Sequence, residues 1–151
     1  MARIEVDFET RLPPDKVVEA LTNFTPNRSD IWPGLARQFY EVYSVGETSA
    51  EVQEGSSKPV KVWAKERYDW STPRTVTWTG KESNFCTPGS VVSIRAEASE
   101  GGGSKVHLTW ERFPSNMKGR ITIAMMKVVG PKILRTYNKK VLDGLADRPL
   151  A

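Results

Sequence analysis

Apolar and charged residues alternate at the start of the chain, which predicts a β-strand with one face exposed to water. Ile4, Val6 and Phe8 are apolar, whereas the residues before, between and after them are charged. A period of two is typical of a strand that covers a core on one face only. Pro13 and Pro14 follow. Because proline lacks the backbone N–H that a sheet needs, we expect the strand to end before them.

Two short helices are predicted after this strand. Apolar residues recur every three or four positions from 14 to 24, and a proline at the first position favours a helix start. The segment 27–35 predicts a second helix, which Pro33 and Gly34 end. Helices this short are unstable alone, so we expect both to pack on the rest of the domain.

Six further strands are predicted between residues 36 and 113. Runs of β-branched and aromatic residues are separated there by glycine, proline and short polar loops, which is typical of hairpins. The predicted strands cover residues 39–45, 48–54, 60–70, 74–79, 90–98 and 105–113. The segment 80–89 is predicted to be a loop.

Residues 117–145 are predicted to form one long helix whose apolar face changes near the middle. The first apolar stripe holds Met117, Ile121, Ala124, Met125, Val128 and Val129, and the second holds Ile133, Leu134, Tyr137, Val141, Leu142 and Leu145. At about 100° per residue, the two stripe centres differ by more than a right angle. The change falls at Gly130-Pro131, where a bend is expected. We interpret it as a sign of two surroundings, one of them a cavity; the alternative is two ordinary helices joined at a corner.

The predicted order of elements is one strand, two short helices, six strands and one long helix (βααββββββα). Antiparallel strands with the helices at both ends of the sequence indicate an α+β architecture. This order resembles the helix-grip fold of the START and Bet v 1-like superfamily (SRPBCC), which includes polyketide cyclases and lipid-transfer domains. The resemblance covers nearly the whole chain and is carried by the opening strand with residues 12–24, by Ile31-Trp32-Pro33-Gly34-Leu35, by the run 62–69 and by the closing helix.

The resemblance implies one domain over residues 1–151. It implies a seven-stranded curved antiparallel sheet around the long C-terminal helix, with the two short helices filling the gap. The superfamily is functionally diverse, so the resemblance specifies the fold better than the activity.

Composition excludes several classes of site. Cys86 is the only cysteine, so no intrachain disulfide or thiolate metal cluster can form, and we expect a cytoplasmic location. His107 is the only histidine and lies on a polar strand face, which disfavours a metal site or a histidine-based triad. No glycine loop joins a strand to a helix in the manner of a nucleotide site. We therefore expect no metal and no cofactor.

Charge and hydropathy limit the partners. The net charge is +4, but cations and anions are interleaved through most of the chain. Only the segment 132–140 is locally basic, and cations in the C-terminal half of a helix also complement its dipole. We expect no nucleic-acid partner. No run approaches 18 apolar residues, and the N-terminus is charged where a signal peptide has its apolar core, so no integral membrane segment is expected. The oligomeric state stays open.

Two charged residues fall on otherwise apolar faces of predicted strands. Glu66 shares a face with Tyr68 in strand 60–70, and Arg112 shares a face with Trp110 in strand 105–113. Burying a lone charge is costly, so each needs a partner, water or a ligand. We interpret Glu66, Tyr68 and Arg112 as the polar groups of a mostly apolar pocket. The alternatives are that both charges reach solvent near strand ends or form a structural pair, and a register error of one residue would exchange the faces.

The other candidate ligand-binding residues are apolar. They are Trp32, Trp78, Trp110, Ile94, Met125 and Val128. Trp32 is either core or a lid over the cavity mouth. Met125 and Val128 belong to the first stripe of the long helix, where methionine would give an adaptable lining, although the stripe is also compatible with plain core.

Three classes of function are compatible with these features. The first is a protein that binds or carries a hydrophobic small molecule, such as a lipid, a polyketide or an isoprenoid, between the sheet and the closing helix. The second, implied by the resemblance, is a polyketide aromatase/cyclase-type enzyme in which Arg112, Tyr68 or Glu66 assists proton transfer. The third is a protein-interaction module that docks a partner on the basic half of the helix. We favour the first, because no recognisable acid–base set is present.

Overall fold

The structure, a computed structural model, describes residues 2–58 and 60–148. Seven strands and three α-helices follow in the predicted order. They are β1 Ala2–Thr10, α1 Pro14–Leu21, α2 Arg28–Ile31, β2 Glu41–Val45, β3 Ser49–Ser56, β4 Val62–Asp69, β5 Thr75–Ser83, β6 Val91–Ala98, β7 Ser104–Arg112 and α3 Met117–Asp147.

The strands form one antiparallel sheet in the order β1-β7-β6-β5-β4-β3-β2. Consecutive strands are neighbours from β2 to β7, as expected of hairpins. The first strand instead pairs with the last, with Val6 opposite Leu108. Alternate side chains of the central strands are buried or half-buried between the sheet and the helices, which gives the core. The predicted α+β helix-grip architecture is confirmed.

The fifth strand is longer than predicted. It continues to Ser83, through the segment predicted to be a loop. Gly80 pairs with Glu66 of β4 beside a bulge between Lys65 and Glu66. Glycine is compatible with a bulge and with close approach of neighbouring groups. The sequence pattern therefore predicted too short a length for this strand.

The closing helix is continuous from Met117 to Asp147, with Pro131 inside it. Pro131 removes one helical hydrogen bond without ending the helix, so the alternative of two helices joined at a corner is wrong. At about 100° per residue, the buried residues Gly119, Ile123 and Gly130 lie within about 40° of one another around the helix axis, and Asn138 and Leu142 lie about 80–120° further round. The buried side therefore shifts along the helix, but its first half does not bury the predicted stripe.

Met125 and Val128 lie on the outside of α3, contrary to their predicted place in the pocket. Met125 is 38% exposed and Val128 is 81% exposed. The rest of that stripe is exposed too: Met117, Ile121, Ala124 and Val129. The apolar pattern predicted the wrong buried side because two glycines, Gly119 and Gly130, occupy the buried face. Small residues there let the helix backbone approach the sheet closely.

Both ends of α3 are fixed to the sheet side of the molecule. At the N-terminal end, Asn116 caps the helix by accepting from the Gly119 N–H at 2.8 Å. A β-carbon on Gly119 would lie only 1.9 Å from the Phe85 carbonyl oxygen, so the two backbones are in direct contact. At the C-terminal end, Asp143 accepts from the Thr10 hydroxyl at 2.6 Å and from the Arg11 N–H at 3.0 Å. These contacts set the position of the helix over the sheet.

The assignment of the two faces of α3 is testable with a matched pair of substitutions. Ile123→Ala removes buried methyl groups and is expected to lower the free energy of unfolding by about 2–4 kcal/mol. Val128→Ser changes an exposed side chain and is expected to stay within about 0.5 kcal/mol of the parent. Urea unfolding of the three proteins measures both values. A larger loss for Val128→Ser than for Ile123→Ala would reverse the assignment.

No helix in the described part of the chain has the length and apolar character needed to cross a bilayer.

Candidate binding cavity

A cavity of about 280 Å³ lies between the inner face of the sheet and α3. The sheet contributes side chains of β3 to β7, and the opposite side is formed by α2, the segment after it and the middle of α3. The walls are mostly apolar, with Ile94, Leu108 and Leu134 among them. This volume is close to the lower end of the range of about 300–1,000 Å³ in which proteins bind small molecules.

Seven of the nine candidate binding residues line this cavity. They are Trp32, Glu66, Tyr68, Trp78, Ile94, Trp110 and Arg112. The strand residues among them follow from the alternation of faces, as β4 and β7 place every second side chain inward. Met125 and Val128 lie outside it, for the reason given above. Contact of the seven with a ligand stays a prediction.

Glu66 and Arg112 form a buried ion pair across the cavity wall. Arg112 Nη2 lies 2.8 Å from Glu66 Oε1, and the side chains are 9% and 4% exposed. The second Nη group of Arg112 contacts the Cys86 thiol at 3.9 Å. Glu66 Oε2 and Arg112 Nε are buried and have no hydrogen-bond partner among the described residues. Burial raises the pKa of Glu66, and the nearby charge of Arg112 opposes that rise without cancelling it.

A second buried network, formed by Arg28, Glu54 and Tyr68, was not predicted. Arg28 Nε donates to Glu54 Oε2 at 2.5 Å, and the Tyr68 hydroxyl donates to Glu54 Oε1. Arg28 Nη2 donates to the Tyr68 oxygen at 3.2 Å. The remaining Arg28 bonds go to the carbonyl oxygens of Leu21 and Asn23 at 2.9 and 3.0 Å. This network satisfies both oxygens of Glu54 from within the protein.

The electrostatics of the second network keep Tyr68 a donor. Burial raises the pKa of Tyr68 well above its usual value, and the Glu54 charge adds to the rise. Burial alone would lower the pKa of Arg28, but the charges of Glu54 and Tyr68 and the hydrogen bonds to them together raise that pKa above its usual value, so the guanidinium stays ionised. Tyr68 therefore belongs to a structural network, and the charged groups left for a ligand are those of the Glu66–Arg112 pair.

Of the two members of this network that were not predicted, one could have been recognised from the sequence. Glu54 lies two residues beyond Val52 and four beyond Ala50, hence on the same strand face, and both of these are buried. Arg28 could not have been recognised, because a helix of four residues is too short for the sequence pattern to show which side is buried.

Several known structures resemble this one over nearly their whole length. No protein-family model matches the chain, and no curated protein does. The Zhui aromatase/cyclase from Streptomyces sp. R1128 superposes with a TM-score of 0.78 and 16% identity, over 97% of this chain and 94% of that one. A START superfamily protein from Mycobacterium smegmatis gives a TM-score of 0.77 and 6% identity, over 98% and 99%. Truncated norcoclaurine synthase from Thalictrum flavum gives 0.71 and 11%, over 99% and 95%.

This chain has the START/Bet v 1-like (SRPBCC) fold. The predicted resemblance is confirmed for the fold. At these low identities the likeness concerns the arrangement of the backbone, and it carries no activity from one protein to another.

Trp32 is a wall residue of the cavity and also part of the hydrophobic core. It is 5% exposed, and its indole N–H donates to the Ala20 carbonyl oxygen at 3.0 Å. Its ring centre lies 6.1 Å from that of Tyr137 on α3. The Tyr137 hydroxyl in turn accepts from the Gly34 N–H at 3.0 Å. Of the two roles left open for Trp32, these contacts favour core over a movable lid.

The two single-copy residues lie outside any recognisable catalytic set. His107 is on the outer sheet face, where Nδ1 is 2.8 Å from Asp7 and Nε2 is 3.2 Å from Glu5. Cys86 is buried, 3.9 Å from Arg112. Within residues 2–58 and 60–148, no group of three or more His, Cys, Asp or Glu side chains is placed to hold a metal ion.

Proposed function

We propose that this protein binds a hydrophobic small molecule in the cavity between the sheet and α3. The observation that carries the proposal is a cavity of about 280 Å³ whose walls are mostly apolar and whose four charged groups form two ion pairs. Well-formed apolar pockets with a small number of placed polar groups are typical of small-molecule sites. A lipid, a polyketide fragment or an isoprenoid-like compound fits this description.

The expected affinity follows from the area that such a ligand buries. About 300 Å² of apolar surface at about 25 cal/mol per Å² supplies about 7 kcal/mol before the cost of association. Micromolar binding is therefore the tightest expected without strong polar contacts. The single cysteine suits a cytoplasmic carrier, and a small apolar ligand requires neither a metal nor a nucleic acid.

Filling the cavity tests the proposal. N-phenyl-1-naphthylamine, a neutral apolar dye that fluoresces in apolar surroundings, is expected to bind the parent protein. Ala64 lines the cavity and is 3% exposed. Because the added indole ring would occupy the cavity, Ala64→Trp is expected to weaken dye binding at least about tenfold.

A matched control lies on the opposite face of the same strand. Arg67 is exposed, so Arg67→Trp adds the same side chain outside the cavity and is expected to leave dye affinity unchanged. Circular dichroism verifies that both variants fold, and Ala64→Leu serves as a smaller filling if the tryptophan does not. Equal dye affinity in folded Ala64 and Arg67 variants would reject the proposed site, as would absence of binding to the parent.

A second candidate function is a cyclase-type enzyme that uses the same cavity. The observation that favours it is Glu66, a cavity-wall carboxyl whose pKa is raised by burial, as acid–base groups of enzymes often require. Mass spectrometry of any ligand that co-purifies distinguishes the two functions. A carrier returns the ligand unchanged after incubation, whereas an enzyme converts it, and Glu66→Gln is expected to abolish only the conversion.

A further inference from the structure

The two arginines of the cavity differ in how many of their N–H groups have a partner within the protein. A guanidinium has five N–H donors. Arg28 makes four hydrogen bonds, to Glu54, Leu21, Asn23 and Tyr68. Arg112 makes one ion-pair contact to Glu66 and one long contact to the Cys86 thiol, which leaves three of its five N–H groups, that of Nε included, without a partner among the described residues.

Arg112 is also the more exposed member of its ion pair. Both residues line the cavity, but Arg112 keeps 9% of its side-chain surface exposed and Glu66 only 4%, and the unpartnered atoms Arg112 Nε and Glu66 Oε2 are both fully buried. Of the two side chains, Arg112 is therefore the one that a ligand at this part of the wall contacts more readily. The complementary ligand group is a hydrogen-bond acceptor.

The charges of the cavity are already balanced. Of the described side chains that line it, Arg28 and Arg112 are cationic and Glu54 and Glu66 are anionic. Each cation is paired with one anion, at 2.5 Å for Arg28 and at 2.8 Å for Arg112. A charged ligand would add a buried charge with no counterion, which is far more costly than a neutral polar group that is hydrogen-bonded.

We infer that the ligand of this cavity is uncharged and places a carbonyl oxygen, such as that of a ketone or an ester, against the unused N–H groups of Arg112. This inference rests on the proposed binding function and specifies its ligand class. A carbonyl oxygen accepts two hydrogen bonds and adds no charge, so it satisfies the donors and keeps the balance. An ionised carboxylate satisfies the donors but leaves the cavity with a net negative charge.

Three naphthalene derivatives of similar shape test the inference. They are 2-acetylnaphthalene, 2-isopropenylnaphthalene and 2-naphthoate, which carry a ketone, a hydrocarbon group of the same outline and a carboxylate. Their affinities are measured by displacement of N-phenyl-1-naphthylamine at about pH 8, where carboxyl groups of ordinary pKa are ionised. The ketone is expected to bind about tenfold tighter than the hydrocarbon, the gain typical of a hydrogen bond to a charged donor. The carboxylate is expected to bind at least about tenfold more weakly than the ketone.

A paired substitution assigns the preference to Arg112. Glu66→Gln/Arg112→Met removes both charges together, so neither is left unpaired and the protein is expected to fold. In this variant the ketone and the hydrocarbon are expected to bind equally. Arg95→Met removes an exposed arginine from the strand next to β7, and it is expected to keep the full preference of the parent.

Each outcome decides between the inference and the function on which it rests. Equal binding of the ketone and the hydrocarbon to the parent overturns the inference and leaves the binding function intact. If the carboxylate binds more tightly than the ketone, the inference that the ligand is uncharged is wrong. If the ketone preference survives the paired substitution, Arg112 is not the group that recognises the ketone. If neither the dye nor any of the three compounds binds, the proposed function itself fails.

Discussion

Replacing Arg28 by methionine is expected to lower the free energy of unfolding by about 3–5 kcal/mol, one of the two largest losses for a single substitution predicted here. Arg28 is 3% exposed and donates to Glu54, to Tyr68 and to two backbone carbonyl groups. Methionine fills part of the volume but leaves Glu54 as a buried anion without its cation. Two carbonyl oxygens near the end of α1 also lose their donor, which adds to the cost.

Urea unfolding with a matched surface variant measures this loss. Arg37 pairs with Asp30 at 2.7 Å, but the two side chains are 74% and 62% exposed. Exposed pairs of this kind contribute little, so Arg37→Met is expected to cost less than about 1 kcal/mol. Losses of similar size for Arg28→Met and Arg37→Met would contradict the structural role assigned to the buried network.

Replacing Arg112 alone by methionine is expected to cost about 3–5 kcal/mol and to raise the pKa of Glu66 further. Burial already raises that pKa, and Arg112 is the group that opposes the rise. Without Arg112, burial and the charge of Glu54 remain, and both raise the pKa of Glu66. Replacing both partners, as Glu66→Gln/Arg112→Met, is expected to recover most of the loss, because no lone charge remains in the interior.

The destabilisation by Arg112→Met should depend on pH with a definite sign. The pKa of Glu66 is higher in the folded than in the unfolded variant, so folding favours the protonated acid. The variant is therefore relatively most stable below about pH 4, near the unfolded pKa, and loses stability as the pH rises through the folded pKa. The difference in unfolding free energy between parent and variant should be larger at about pH 8 than at about pH 4. A difference independent of pH, or an NMR titration in which the pKa of Glu66 does not change, would exclude the coupling.

Much of the sheet was predictable because its strands obey a local rule. In β4, Ala64, Glu66 and Tyr68 alternate with exposed or half-buried residues, so both the strand and its inner face follow from a short stretch of sequence. The same rule identified Arg112 beside Trp110. What the rule does not give is the partner of each charge. The Glu66–Arg112 pair joins residues on strands that are not neighbours in the sheet, and only the folded chain brings them together.

The helix was predictable in extent but not in orientation. Periodicity identifies the buried side of a helix when large apolar residues mark it. In α3 the large apolar residues do not mark the buried side, because Gly119 and Gly130 are buried while Val128 and Ile133 are exposed. A glycine carries no hydrophobic signal, and its importance here comes from a contact with another segment. The Arg28–Glu54 pair escaped prediction for a similar reason, since its two members lie in different elements.

The anchoring of α3 at both ends has a consequence for anyone who redesigns the cavity. Gly119 holds one end against the Phe85 backbone, and Asp143 holds the other through Thr10 and Arg11. A bulkier guest therefore cannot be accommodated by lifting the helix away from the sheet without breaking one of these attachments. Capacity is set by the side chains between the anchors. Shortening a wall residue such as Leu134 is the change that would admit longer compounds, and lengthening it would restrict the cavity to smaller ones.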